Sequence, residues 1–542
     1  MNLRKLGLGA AVALAATMFA STAEAQLKDV TQIGPTVPGG AINKSFTQEI
    51  GAGVGDIFTP GSSLFIINRD PARAIRRGRQ IFQRKFTRAQ GNGPLTGDGI
   101  GNPAFVGGDP SVAAGLADSC AACHGRPRGS AGAGGDVVTR PDSRDAPHLF
   151  GLGLQEQLAD EMTTALRSIR AEAINQAVAN EMDVTLPLTA KGVSFGSITA
   201  HADATVDTSA VVGVDPGLRI RPFFAQGLTI SIREFLVGAF NAEMGLESFD
   251  SVLAIGAGGG DVLTPSGMLL SGTIDTIEGP TAASVTSDGD LDGVVNEIPQ
   301  SIVDFEEFYL LHSFKAGTQV TPTNSSAVTM GRATFTAIGC ATCHRPTFTI
   351  ASDRRVADLE TNFSAFTPLA PAMSGNPFNR LFAVGSLFIT ATDDGSGLPT
   401  LKRHSNHSFV VRNIFTDFKR HDLGPNFHER NYDGTFTSLF VTEPLWGVAT
   451  TAPYGHDGRS INLEEVTLRH GGEAQPSRDR FAALSDADRA DLLAFLNTLV
   501  LFPPDDTASN LDPGDAHHVD FPQRAHGSIR LSGLFNDPTD PE

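Results

Sequence analysis

Three stretches of the chain carry apolar residues at helical spacing. The first runs from Ala72 to Phe86 and holds Gly78 and Phe82, and the second runs from Ala327 to Ile338 and holds Gly331 and Phe335. Both repeat a Gly-x-x-x-Phe step, which puts the glycine and the ring on one helix face, a turn apart. The third runs from Ser485 to Val500. Leu492, Leu493, Phe495, Leu496 and Leu499 form its stripe, and Ser485 with Asp488 suits a capped start. Elsewhere the periodicity fades. Residues 187–220, rich in Thr, Val and Ser, read as strands or a loop insertion, and 251–300, rich in Gly, Ser, Thr and Asp, read as a linker or decorated loop.

One apolar run is of another kind. Leu6–Ala20 follows Arg4 and Lys5 and precedes Ala23-Glu24-Ala25, the pattern of an export signal cleaved after Ala25. Its 15 residues fall short of the ~20 that span a bilayer, and Gln26 offers no cysteine for a lipid. A soluble periplasmic protein without a membrane anchor is the expectation. Lys+Arg 41 against Asp+Glu 60 gives a net charge of −19. That balance argues against nucleic acid and suits a basic partner.

The four cysteines decide the chemistry. They fall in two copies of C-x-x-C-H: Cys120, Cys123 and His124, then Cys340, Cys343 and His344. None is left for a structural disulfide. The pattern is that of covalent haem c attachment, two thiols binding the vinyl groups while the histidine takes the iron. A redox dithiol or half of a zinc site would explain one copy. Two copies in an exported chain with no other cysteine favour two haem c groups. The expected domain plan is an export signal (1–25), an extended lead-in (26–68), a first haem unit (69–250), a linker (251–300), a second haem unit (301–503) and a polar tail (504–542).

Four segments carry a family resemblance: Ala146–Leu154, Ser231–Gly245, Pro444–Gly447, and Ala452–Arg459 with Leu463–Glu465 and His470–Ala474. They resemble the bacterial di-haem oxidoreductases called putative peroxidases, relatives of the di-haem cytochrome c peroxidases and the methylamine-utilisation di-haem enzyme. The resemblance implies a mainly α fold: two cytochrome c-like haem domains packed face to face, with long loops and a small β-rich insertion. It implies peroxide chemistry at the first haem, with Glu243 as distal acid–base group, and electron relay by the second haem, with His470 as distal ligand to the iron opposite His344. Relatives often carry Met at the His470 position, and His there lowers the potential. Met373, His421 and His456 compete for that role, and His148 or His201 could fill the sixth position of the first iron. Phe223 falls where relatives place an inter-haem Trp, while the sole Trp is Trp446. A small redox protein, a basic cytochrome or a cupredoxin, would exchange electrons with the enzyme.

Asp288, Asp290 and Asp292, with Gly293 at the sixth place, resemble the front of a Ca²⁺-binding EF-hand loop. Pro299 stands at the twelfth place, where a bidentate Glu is expected, so a Ca²⁺-stapled loop and an acidic solvated turn both stay open. By resemblance, backbone oxygens near Thr451 and Pro453 offer a second Ca²⁺ position. Two other activities fit the same cofactors: a di-haem electron-transfer cytochrome without peroxide chemistry, and a rubber-oxygenase-like dioxygenase.

Overall fold

Both Gly-x-x-x-Phe segments are helices that cross a partner at the glycine. A computed structural model describes residues 44–69, 71–93, 117–125, 131, 136–137, 144–312, 318–319, 325–351, 354, 392–393, 399–400, 408–431 and 433–500. The export signal, most of the lead-in, Met373 and the polar tail lie outside the described residues. The helices that frame the site are α1 (Pro71–Gln83), α2 (Cys120–His124), α3 (Leu152–Asn180), α4 (Ile232–Met244), α5 (Gln300–His312), α6 (Ser325–Ala337), α7 (Leu463–Arg469) and α8 (Asp486–Leu496).

α1 packs on α5, and α6 packs on α8. A Cβ at Gly78 would lie 2.2 Å from the Phe305 carbonyl oxygen, and one at Gly331 would lie 1.9 Å from that of Asp491. Only glycine lets the backbones approach so closely. The phenylalanine one turn on then reaches the attachment motif. Phe82 lies 6.5 Å from the His124 ring and 5.8 Å from Tyr309 of α5. Phe335 lies 6.2 Å from His344 and 5.7 Å from Phe495 of α8. One local device is used twice. Helix α5, which falls at the start of the expected second haem unit, is the crossing partner of α1 in the first.

The strands are more extensive than a mainly α pair of cytochrome c-like domains allows, and that expectation is corrected. The described residues are about 41% helical and 14% strand. The described residues from 45 onward group into one compact unit. The reason is a third core between the two that surround the attachment motifs. It is built from α3, an antiparallel sheet of β1 (Val184–Ala190), β2 (Val193–Ala200) and β3 (Val206–Asp207), and the pair β4 (Thr347–Ile350) with β5 (Phe409–Arg412). Leu188, Phe195 and Ile198 of the hairpin are buried with Leu158, Met162 and Leu166 of α3 and with Phe348 and Val411. Alternation puts Thr185 and Thr199 on the outer face, their hydroxyls 2.8 Å apart. This core joins chain from both halves. No helix among the described residues is long and apolar enough to cross a membrane.

A buried ion cluster fixes α4. Arg233 is 0% exposed and reaches Asp250 (2.5 and 2.9 Å), Asp304 (2.8 Å) and Glu307 (2.6 Å). Asp304 and Glu307 belong to α5, so the cluster ties the start of α4 to the partner of α1. Ser231 and Glu234 close a capping box at the same end.

Candidate functional site

A cavity of about 680 Å³ runs between the two attachment motifs. Cys120, Cys123 and His124 line it, as do Cys340, Cys343 and His344. All four cysteines are free of disulfides. Burial pushes the thiols of Cys123 and Cys340 up to about 11.

The two motif histidines are set alike. His124 Nδ1 lies 2.7 Å from the Pro147 carbonyl oxygen, and His344 Nδ1 lies 2.9 Å from that of Phe415. A ring N–H donated to a backbone carbonyl selects the tautomer whose lone pair sits on Nε2. Burial also pulls His124 down to about 4 and lowers His344. Both rings are therefore neutral at neutral pH, the form that binds a metal. The donor set thus fits haem: two paired thiols and one oriented imidazole at each end of one cavity.

His470 repeats the arrangement from the far end of α7. Its Nδ1 lies 2.7 Å from the Val466 carbonyl oxygen, and burial pulls it down to about 4, with His344 close enough to oppose its charge. It lines the same cavity, braced by Phe427 at 5.2 Å, which is itself covered by Arg469 at 4.2 Å.

The competing histidines are otherwise engaged. His421 holds Asp417 (2.9 Å) through Nε2 and Glu473 (2.8 Å) through Nδ1. Burial works against its charge, but the Asp417 hydrogen bond and the Cys343 sulfur prevail and push it up to about 11. A charged imidazole has no lone pair to offer. His148 Nδ1 accepts the Phe150 N–H at 3.2 Å, and the ring lines the cavity near enough to His124 to oppose its charge. His201 pairs with Asp183 (2.9 Å) on the β1–β2 sheet and is not on the cavity wall. His456 does line the cavity, stacked on Phe440 with centroids 4.1 Å apart.

Glu243 stands near the end of α4 and lines the cavity on the side of the first motif, where its charge acts on Cys123. Its helix end is pinned to the chain that enters that motif. Ala117 N–H donates to the Glu243 carbonyl (3.2 Å), and Gly93 N–H (3.0 Å) and the Asn92 amide (2.8 Å) donate to that of Met244. Phe223 and Trp446 also line the cavity. The Trp446 ring covers Gly151, where a Cβ would come within 2.5 Å of it, and neighbouring Leu445 packs into the core around the second motif.

Two carboxyls, one behind the cavity wall and one on it, escaped sequence reasoning. Glu306 of α5 is fully buried with Oε1 3.0 Å from Cys120 Sγ, and burial pushes it up to about 8. Glu443 lines the wall just before Pro444, and burial pushes it up to about 7. Glu306 sits in the run Glu306-Glu307, an acidic pair amid apolar residues of α5, and that incongruity was the available signal. The carboxylates of Asp288, Asp290 and Asp292 are brought together away from the cavity, each offering an oxygen within 4.8 Å of the others. Thr451 and Pro453 are on the cavity wall.

No curated protein matches the chain. Residues 384–499, roughly a fifth of its length, match the family described as "di-haem oxidoreductase, putative peroxidase". The match contains His421, Trp446, His456 and His470. The matched segment is similar to that family, which supports haem as the cofactor and oxidoreduction as the chemistry.

Proposed function

We propose that this protein is a periplasmic di-haem c oxidoreductase of peroxidase type, reactive at Cys120–His124 and relaying electrons through Cys340–His344. The observation that carries the reading is the single cavity lined by both attachment motifs, Glu243 and His470. Haem iron, when bound, supplies a centre that takes peroxide and exchanges electrons one at a time.

The rest falls to the side chains. Cys120 and Cys123, and Cys340 and Cys343, would hold the two porphyrins by thioether links. His124 and His344 present neutral Nε2 atoms, oriented by Pro147 and Phe415. His470 would offer the second porphyrin a further neutral imidazole, which would suit that centre to electron relay. Glu243 takes a proton from the near oxygen of peroxide and returns it to the far one, as a carboxyl in a largely apolar wall can do. His201 is off the cavity wall and His421 is held by Asp417 and Glu473, so the first porphyrin would have room for peroxide beside Glu243. The acidic surface suits a basic donor, a small cytochrome or cupredoxin.

The test is EPR of the ferric and half-reduced protein, with and without peroxide, alongside Glu243→Gln. A high-spin signal that peroxide removes is expected. So are two covalent haems per chain by pyridine haemochrome, and a turnover loss of about 100-fold or more in the variant. An all-low-spin protein inert to peroxide would make it an electron-transfer cytochrome, and near-normal turnover in the variant would remove Glu243 from the chemistry.

A further inference from the structure

Reducing peroxide to water consumes protons as well as electrons: H₂O₂ + 2e⁻ + 2H⁺ gives 2H₂O. Glu243 returns the proton it takes, so its shuttle adds none, and a donor protein brings only electrons. The protons must reach the cavity through another group. Such a group faces the cavity, holds a proton near neutral pH and has no fixed partner to leave first.

Glu443 meets these conditions. It lines the cavity and is exposed. Burial nonetheless pushes its carboxyl up to about 7, with no hydrogen bond and no charged neighbour contributing among the described residues. Exposure and strong desolvation coincide where a side chain looks into an enclosed space rather than into bulk water. Three other proton-bearing groups on the wall are committed. Tyr454 donates its hydroxyl to the Val448 carbonyl (2.7 Å), and burial pushes it up to about 12. Glu473 holds the His421 ring (2.8 Å) and accepts the Asp422 N–H (3.0 Å), and His421 is held on its other nitrogen by Asp417.

The backbone sets Glu443 between the two motifs. Val441 N–H donates to the Ala225 carbonyl at 2.8 Å, and Phe223, two residues before Ala225, packs in the core around the first motif. Leu445 N–H donates to the Ile414 carbonyl at 3.0 Å, and the carbonyl of the next residue, Phe415, is the partner of His344 Nδ1. Glu443 lies two residues from each anchor. Pro444 disfavours helical backbone at Glu443, which suits a segment stretched between them.

We propose that Glu443 carries protons into the cavity during peroxide reduction, working beside Glu243, an inference that rests on the peroxidase reading. In each transfer the Glu443 O–H bond breaks as its proton passes to a peroxide-derived oxygen, and water then reprotonates the carboxylate. Two transfers, with two electrons from the donor protein, balance one peroxide against two waters.

The experiment compares the full-length haem-loaded protein with Glu443→Gln and Glu443→Asp. Infrared spectra of the native protein should show a carboxylic C=O band that fades as pH rises through about 7, and Glu443→Gln should lack it. In stopped flow, Glu443→Gln should consume its first peroxide at a near-native rate, because Glu243 is intact. Its kcat should then fall about 10-fold or more while kcat/KM for peroxide holds. Glu443→Asp keeps a carboxyl, should recover most of the loss, and keeps the test open if Glu443→Gln folds poorly. Native kcat in Glu443→Gln, an unchanged infrared band, or equal slowing in both variants would overturn this proposal and leave the peroxidase reading standing. A native protein inert to peroxide would overturn both.

Discussion

Adding one methyl group at Gly331 should cost more stability than helix propensity returns. The new Cβ would sit 1.9 Å from the Asp491 carbonyl oxygen and 2.9 Å from Leu492 Cα. Ordinary contact begins near 3.4 Å, so α6 and α8 must part by roughly 1.5 Å. Both opposing atoms are backbone, and no rotamer change relieves the clash. Overpacking of this kind costs about 1–3 kcal/mol, and separation loosens the contacts of Phe335, Leu492 and Phe495 beneath it. Against that, Ala returns about 0.5–1 kcal/mol in a helix interior. The net is a loss of roughly 1–2 kcal/mol. Gly238→Ala is the matched control: it lies within α4, and the nearest atom to its Cβ is a Glu278 carboxylate oxygen at 4.0 Å. There the propensity gain stands alone, so about 0.5–1 kcal/mol of stabilisation is expected. Urea unfolding of the haem-loaded protein, followed by far-ultraviolet circular dichroism, measures both. The Soret band of Gly331→Ala should also change, because Phe335 lies against His344. Variants that shift in the same direction would refute the close-crossing argument.

Two further outcomes follow from the site. His470→Met should raise the midpoint potential of one haem and leave the other near its native value, since a thioether ligand favours the reduced iron; spectroelectrochemistry that finds both potentials unmoved would place His470 off the iron. Burial pushes Glu156 up to about 7 from its ordinary 4.5, against the pull of Arg354 and the Ile232 N–H it accepts at 3.0 Å. A carboxyl raised in the folded state adds stability that is full below 4.5 and is lost as pH climbs through 7. Thermal midpoints should therefore fall between pH 5 and 8. Glu156→Gln, which keeps the acceptor, should flatten that fall, and an unchanged slope would show that other groups set it.

The pairing of each C-x-x-C-H motif with a glycine-crossed helix was legible because its parts are local. Two cysteines, a histidine and a Gly-x-x-x-Phe helix are each written within a few residues, and so is the helix at Ser485–Val500, which forms as Asp486–Leu496 with Ser485 as its cap. What crosses α1 was not legible. α5 lies more than 200 residues downstream, and nothing in the local pattern of either helix names the other. The same distance hid the third core, in which α3 meets strands from the second half of the chain. Only tertiary contact makes Arg233, Asp304 and Glu307 mutual partners, so no local pattern marks them.

The two attachment motifs share geometry but not electrostatics, and the difference bears on which iron does what. Each histidine gives Nδ1 to a carbonyl, and each is backed by a phenylalanine from a glycine-crossed helix. Around the first motif the added groups are carboxyls: Glu306 against Cys120, and Glu243 acting on Cys123. Around the second the added group is a cation, the His421 imidazolium held by Asp417 and Glu473 beside Cys343. Carboxyls that can exchange protons are what peroxide cleavage requires; Glu243 lines the cavity on the side of the first motif, and Glu443 is a further titratable carboxyl on its wall. The other end offers a paired charge that cannot readily titrate and a second neutral imidazole in His470. A motif repeated without such surroundings would make two equivalent relays. The asymmetry lies in residues outside both motifs, and it is there that substitutions should separate peroxide turnover from electron transfer.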